Sequence, residues 1–136
     1  MSTAHEDTDT QARGPAAMRA AVSWFLDRRT LPRHETLKLW DHDLAGFLRQ
    51  LIPAIEALAA SLPPGDVSVR VASVAVREAR ARLHEPEAAG LHGETERVKR
   101  LARSVVSLCD QHATLSTLRM CLTCDKPIKS DEAPVP

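Results

Sequence analysis

The feature that most constrains the fold of this chain is an apolar seam of three heptads between residues 37 and 58. Seven residues of this seam follow one another at alternating spacings of three and four: Leu37, Trp40, Leu44, Phe47, Leu51, Ala54 and Leu58. Because an α-helix has about 3.6 residues per turn, all seven lie on one helical face. Leu48, Ile52 and Ile55 widen that face, so the pattern predicts a helix that packs against other helices.

Prolines and glycines divide the chain into segments. Pro53 lies within the seam and removes one backbone N–H donor, so the helix is predicted to kink or to split there. Residues 61–65 contain two prolines and a glycine and end this helix. Prolines in segments 30–32 and 85–86 give two more breaks, so the sequence predicts four helices.

The other three predicted helices cover residues 16–29, 67–84 and about 94–118. Each carries apolar residues at spacings of three and four. Their seams contain Met18, Val22, Phe25 and Leu26; Val69, Ala72, Val76, Ala79 and Leu83; and Val98, Leu101, Val105, Leu108, His112 and Leu115. Asp66 is suited to cap the helix over 67–84. Three more valines are predicted to add apolar area beside the seam of that helix: Val67, Val71 and Val74.

Four amphipathic helices with short connections predict an all-α fold, an antiparallel four-helix bundle. The bundle is expected over residues 15–120. Residues 1–14 are small, polar and charged, and are predicted to form a disordered tail. Residues 121–136 hold a Cys-x-x-Cys segment followed by a flexible tail rich in proline and charge.

Composition argues against several classes of function. Lys plus Arg and Asp plus Glu each number 18, so the chain lacks the basic excess of proteins that bind nucleic acid or anionic membranes. Its aromatic residues are only Trp24, Phe25, Trp40 and Phe47, too few for platforms that stack bases. No apolar run approaches the length of a membrane span, which is about 20 residues. We therefore predict a cytoplasmic protein with no membrane and no nucleic-acid partner.

The most specific local motif is the pair Cys121 and Cys124. Two thiolates at this spacing can bind one Zn²⁺, and residues 121–128 resemble one zinc knuckle, which is half of a complete zinc module. The alternatives are a redox dithiol and two cysteines with no special role. A redox pair normally lies at the start of a helix, whereas this pair follows one.

Cys109 and His112 are the candidates for the missing zinc ligands. They lie three residues apart and so share a helical face, which would give a Cys₃His site with Cys121 and Cys124. If the helix continues to residue 121, however, a rise of roughly 1.5 Å per residue separates Cys109 from Cys121 by about 18 Å. The site therefore closes only if the helix ends near residue 113. Otherwise Cys109 and His112 are a buried thiol and a core or boundary histidine.

Charged residues offer one further candidate. Basic residues cluster on the last two predicted helices: Arg70, Arg77, Arg80, Arg82, Arg97, Lys99, Arg100 and Arg103. If these faces are neighbours, they form a basic patch for phosphate or an acidic partner. The simpler interpretation, which we favour, is a solvated helix surface. Asp41, His42 and Asp43 are likewise predicted to be solvated, because adjacent helical residues point in different directions.

Three segments of the predicted helices are residues 97–110, the Leu-Trp to Leu-Ile-Pro stretch over 39–53, and Glu-Ala-Arg-x-Arg-Leu over 78–83. They resemble segments of a group of small uncharacterised actinobacterial helical proteins encoded near natural-product biosynthesis genes. Residues 111–113 depart from the aromatic stretch that often stands there in that group. The resemblance implies a helical fold and a genomic setting, and it transfers no catalytic residue.

These observations favour a non-enzymatic accessory or regulatory protein that acts through contacts with a protein partner or a second copy of itself. The chain has no Gly-rich phosphate loop, nucleophile elbow or His-Glu-x-x-His motif. Two alternatives stay open. One is a zinc-stabilised interaction module, with zinc as the only cofactor that the sequence suggests. The other is a biosynthetic tailoring enzyme with a pocket between helices.

Overall fold

The computed structural model describes residues 14–28 and 32–123. Within these ranges the chain forms four α-helices and no strand: α1 (Pro15–Leu26), α2 (His34–Ala60), α3 (Val67–Leu83) and α4 (Leu91–Thr123). The predicted all-helical fold with four helices is confirmed for this part of the chain. Residues 1–13 of the predicted 1–14 tail, and residues 124–136 of the predicted 121–136 segment, lie outside the described residues.

Local chemistry explains where α3 and α4 begin. The Asp66 carboxylate accepts a hydrogen bond from the backbone N–H of Ser68 at 2.7 Å, which caps α3 as the sequence predicts. Gly90 precedes α4 with φ = +80°, a left-handed conformation that glycine adopts without steric cost. Helix α2 continues through Pro53, which lies on the exposed face of the helix. Of the two predicted alternatives, a kink or a split, the split therefore does not occur.

Helix α4 is the centre of the packing, because it contacts each of the other three helices. It packs most extensively against α2, and among the described residues α1 and α3 do not touch each other. Helices α1 and α3 therefore each pack against the α2–α4 pair and not against each other. The ion pair between Arg19, early in α1, and Asp110, late in α4, is compatible with an antiparallel α1–α4 pair. Asp41 and Arg97 both lie near the starts of their helices, and their contact is compatible with α2 and α4 running in the same direction, as the second and fourth helices of an up-and-down bundle do.

The core contains most of the seam residues that the periodicity predicts. In α2, Leu37, Leu44, Phe47 and Leu51 are buried, whereas Leu58 packs at the edge of the core. Trp40 is half-buried, with its ring centroid 4.6 Å from that of Phe25 and 6.2 Å from that of Trp24. In the described part of the chain, no helix is both long enough and apolar enough to cross a membrane.

Candidate functional site

Helix α3 exposes a row of valines on its outer face. The relative exposure is 62% for Val67, 48% for Val71 and 46% for Val74. We call these three residues the valine row. The prediction that they add to the core is wrong. Ala72, Val76 and Ala79 form the buried face of α3, and the valine row lies on the opposite, solvent-exposed face.

On one side of the valine row a groove of about 250 Å³ runs between α2 and α3. Its lining is apolar at the base and polar at the rim: Ile55, Ala59, Ala72 and Val76, then Glu56, Ser73, Arg77 and Arg80. Arg80 forms an ion pair with Glu56 at 2.8 Å across this groove. Arg77 lies at the rim and is not paired with any described carboxylate, so it is available to an anionic group of a binding partner.

On the other side of α3 a second groove of about 310 Å³ runs between α3 and α4. Its lining is mainly polar: Ala75, Glu78, Arg82, Arg100, Arg103, Ser104 and Ser107. Arg100 forms an ion pair with Glu85, and this hydrogen bond holds the pKa of the Glu85 carboxyl below its usual value. A basic patch shared by these two helices is one of the two interpretations that the sequence allows. The structure brings three arginines of that patch, Arg82, Arg100 and Arg103, to one groove.

Arg97 forms a buried ionic cluster near the start of α4. Its side chain is 5% exposed and donates hydrogen bonds to Glu94 at 2.9 and 2.5 Å and to Asp41 of α2 at 2.9 Å. The Glu94 carboxylate also accepts a hydrogen bond of 2.8 Å from the backbone N–H of Ala88, which lies in the loop before α4. The cluster therefore ties α2, α4 and the α3–α4 loop together.

This cluster corrects two expectations from the sequence. Asp41 is half-buried and paired, whereas His42 and Asp43 are exposed as predicted. Arg97 is buried and is not part of a solvated basic face. The spacing of Glu94 and Arg97 at i and i+3 signals a local pair. Nothing in the sequence signals that Asp41, more than fifty residues away, completes it.

The same region brings carboxylate oxygens of Asp41, Glu87 and Glu94 within 4.8 Å of one another. Carboxylates at this spacing can hold a divalent cation. Two of the three, however, already bind the Arg97 guanidinium, which supplies the compensating positive charge. The arrangement therefore favours a structural ionic cluster.

The cluster makes folding stability depend on pH. The hydrogen bond from Arg97 holds the pKa of the Glu94 carboxyl below its ordinary 4.5. A depressed folded-state pKa contributes stability that is fully present above pH 4.5 and is lost as the pH falls through the lower, folded-state value. We expect urea unfolding to show this acid-side loss, and Glu94→Gln to reduce it. An unchanged pH profile in the variant would contradict the assignment.

The four predicted zinc ligands are not all brought together. Helix α4 is continuous through Thr123, so about 12 residues of helix, roughly 18 Å, separate Cys109 from Cys121. Cys109 is buried and lies 3.3 Å from the carbonyl oxygen of Pro15, and burial raises the pKa of its thiol to about 11. His112 is half-buried, with Nδ1 3.4 Å from the hydroxyl oxygen of Ser116.

Cys121 is exposed near the end of α4, and Cys124 lies outside the described residues. Zinc binding by this pair therefore stays a prediction. The continuous helix means that Cys109 and His112 of the same chain do not supply the other two ligands while Cys121 stays helical. Within one chain, any further ligands would have to come from elsewhere.

Comparison with known proteins gives one match. The model of a family of unknown function, DUF6415, matches residues 16–117, which is about three quarters of the chain. The chain belongs to this family. The matched residues include α3, both grooves beside it and the Arg97 cluster. No curated protein and no solved structure shows significant similarity to the chain.

The surfaces described above differ in what they can do chemically. The valine row and the α2–α3 groove offer apolar area bordered by arginine, which suits a binding partner with apolar and acidic groups. The α3–α4 groove offers arginine and hydroxyl donors, which suit an oxyanion. Helix α3 is common to all of them and is therefore the candidate functional element.

Proposed function

We propose that this protein is a non-enzymatic protein-binding module, an antiparallel four-helix bundle that presents the outer face of α3 to a partner. The observation that carries the proposal is the valine row, three adjacent valines that are each roughly half exposed or more. Scattered apolar residues are normal on protein surfaces, whereas a contiguous row along one helix is typical of an interaction site. Valines at i, i+4 and i+7 give a partner helix a continuous apolar ridge.

The charge of α3 indicates the chemistry of the partner. This helix carries four arginines and one glutamate, a net charge of +3 in a chain whose overall formal charge is zero. Arg70 and Arg77 are exposed, and neither is paired with a described carboxylate. A matching partner is an amphipathic helix with an apolar row and acidic residues beside it.

An enzymatic role has less support from these surfaces. Among the described residues, Glu56 is the carboxylate that lines the α2–α3 groove, and it is paired with Arg80 at 2.8 Å. The resemblance to proteins encoded near natural-product biosynthesis genes indicates which candidate partners to test. Purified products of neighbouring genes are the first proteins to test, with those that contain acidic amphipathic helices ranked highest.

We expect at least one of these products to bind, and Val71→Asp to weaken its affinity by about tenfold or more, because it would place an unpaired carboxylate in the middle of an apolar contact. Leu39→Asp is the matched control, because Leu39 is 67% exposed and lies on α2, away from the valine row. Isothermal titration calorimetry measures both variants. Equal losses in the two variants, or no binding by any neighbouring product, would contradict the proposed function.

A further inference from the structure

We infer that the groove between α3 and α4 is a binding site for the phosphate group of a small phosphomonoester. This site is distinct from the α2–α3 groove, whose rim carries Arg77, because it is lined by residues of α3 and α4. Arginines from two helices line it, Arg82 on α3 and Arg103 on α4, together with the hydroxyl-bearing Ser104 and Ser107.

The ion pairs show which arginines are available. Arg100 is bound to Glu85, so its charge is already compensated. The side chains of Arg82 and Arg103 both line the groove and form no ion pair or hydrogen bond within the described residues, although the charge of Arg82 helps to lower the pKa of the Glu85 carboxyl. Two unpaired guanidinium groups on neighbouring helices supply donors from two directions, which suits a tetrahedral dianion better than a planar carboxylate.

The volume and the lining limit the size and charge of the ligand. A groove of about 310 Å³ is at the small end of ligand sites, which span about 300–1,000 Å³, and it exceeds what a bare phosphate needs. Glu78 also lines the groove and repels an anion. The two free arginines outweigh this one carboxylate, so Glu78 lowers the affinity without cancelling the site.

The experiment uses the full chain, with inorganic phosphate and glycerol phosphate as probes. Calorimetry and ³¹P NMR at low ionic strength measure the binding of each probe. We expect saturable binding with glycerol phosphate bound more tightly than inorganic phosphate. Arg82→Gln and Arg103→Gln should each weaken binding by about tenfold or more, as the loss of a charge-assisted hydrogen bond does. Glu78→Gln should strengthen binding.

Arg70→Gln is the matched control, because Arg70 is an exposed arginine of α3 outside the groove and should leave affinity unchanged. Equal weakening by Arg70→Gln would show only general attraction between basic helices and anions, and would overturn the site. Vesicles of phosphatidylcholine with phosphatidic acid test a lipid source of the same phosphate group. Binding to the vesicles without binding to glycerol phosphate would also overturn the inference. Circular dichroism of each variant checks that it is folded.

Discussion

Replacing Arg97 with leucine should lower the free energy of unfolding by about 3–5 kcal/mol, because it leaves buried carboxylates without their counter-charge. Arg97 is 4% exposed and Glu94 is 9% exposed, so water cannot replace the lost hydrogen bonds without opening the start of α4. Asp41 loses its partner in the same variant, which weakens the contact between α2 and α4.

Arg103→Leu is the matched control for this substitution. It makes the same change on the same helix, but Arg103 is exposed and should alter stability by no more than about 0.5 kcal/mol. Urea unfolding at neutral pH followed by circular dichroism measures both variants. If Arg97→Leu were as stable as the control, the prediction that the buried ion pairs of Arg97 stabilise the fold would be wrong.

Replacing Leu108 with alanine should lower the free energy of unfolding by about 2–5 kcal/mol. Leu108 is fully buried near the middle of α4, the helix that contacts all the others. Truncation removes apolar area from the core and leaves a cavity that the surrounding helices fill only in part.

Leu39→Ala is the control for the core substitution. It deletes the same atoms from a leucine that is 67% exposed, so its effect should stay within about 0.5 kcal/mol. Thermal unfolding followed by circular dichroism distinguishes the two variants. Equal stability of Leu108→Ala and the control would mean that α4 does not lie at the centre of the core.

Local periodicity was sufficient to predict the four helices and much of the core. A spacing of three and four identifies the buried face of a helix because both the sequence and the packing follow the same helical period. Leu37, Leu44 and Leu51 are buried for that reason. Helix α4 begins three residues earlier and ends five residues later than the sequence predicts, since propensity marks helix ends only weakly.

Periodicity could not show which apolar face of α3 stays uncovered. The valines at 67, 71 and 74 have the helical spacing of a core face, and only the position of α3 relative to α2 and α4 leaves them exposed. The valine row was therefore predicted as additional core. The same limitation hid the Arg97 cluster, because the pairing of Arg97 with Asp41 depends on how α2 and α4 are placed.

The cysteine motif shows the converse limitation. The sequence indicated that Cys109 and Cys121 meet only if α4 ends early, and the helix is continuous through Thr123. The helical rise therefore keeps Cys109 and Cys121 about 18 Å apart along α4. Zinc binding through Cys121 and Cys124 is still best tested by elemental analysis of protein purified without chelator.

Chemical-shift mapping tests most directly whether the outer face of α3 docks an acidic amphipathic helix. The titrant is a synthetic helical peptide with leucines in one row and glutamates on both sides. We predict that backbone amide shifts concentrate on Val67, Val71, Val74, Arg70 and Arg77, and that a lysine version of the peptide causes none. Shifts centred on the other exposed apolar residues of the described chain, which are Trp24, Leu39, Met120 and Leu122, or equal shifts with both peptides, would contradict docking on α3.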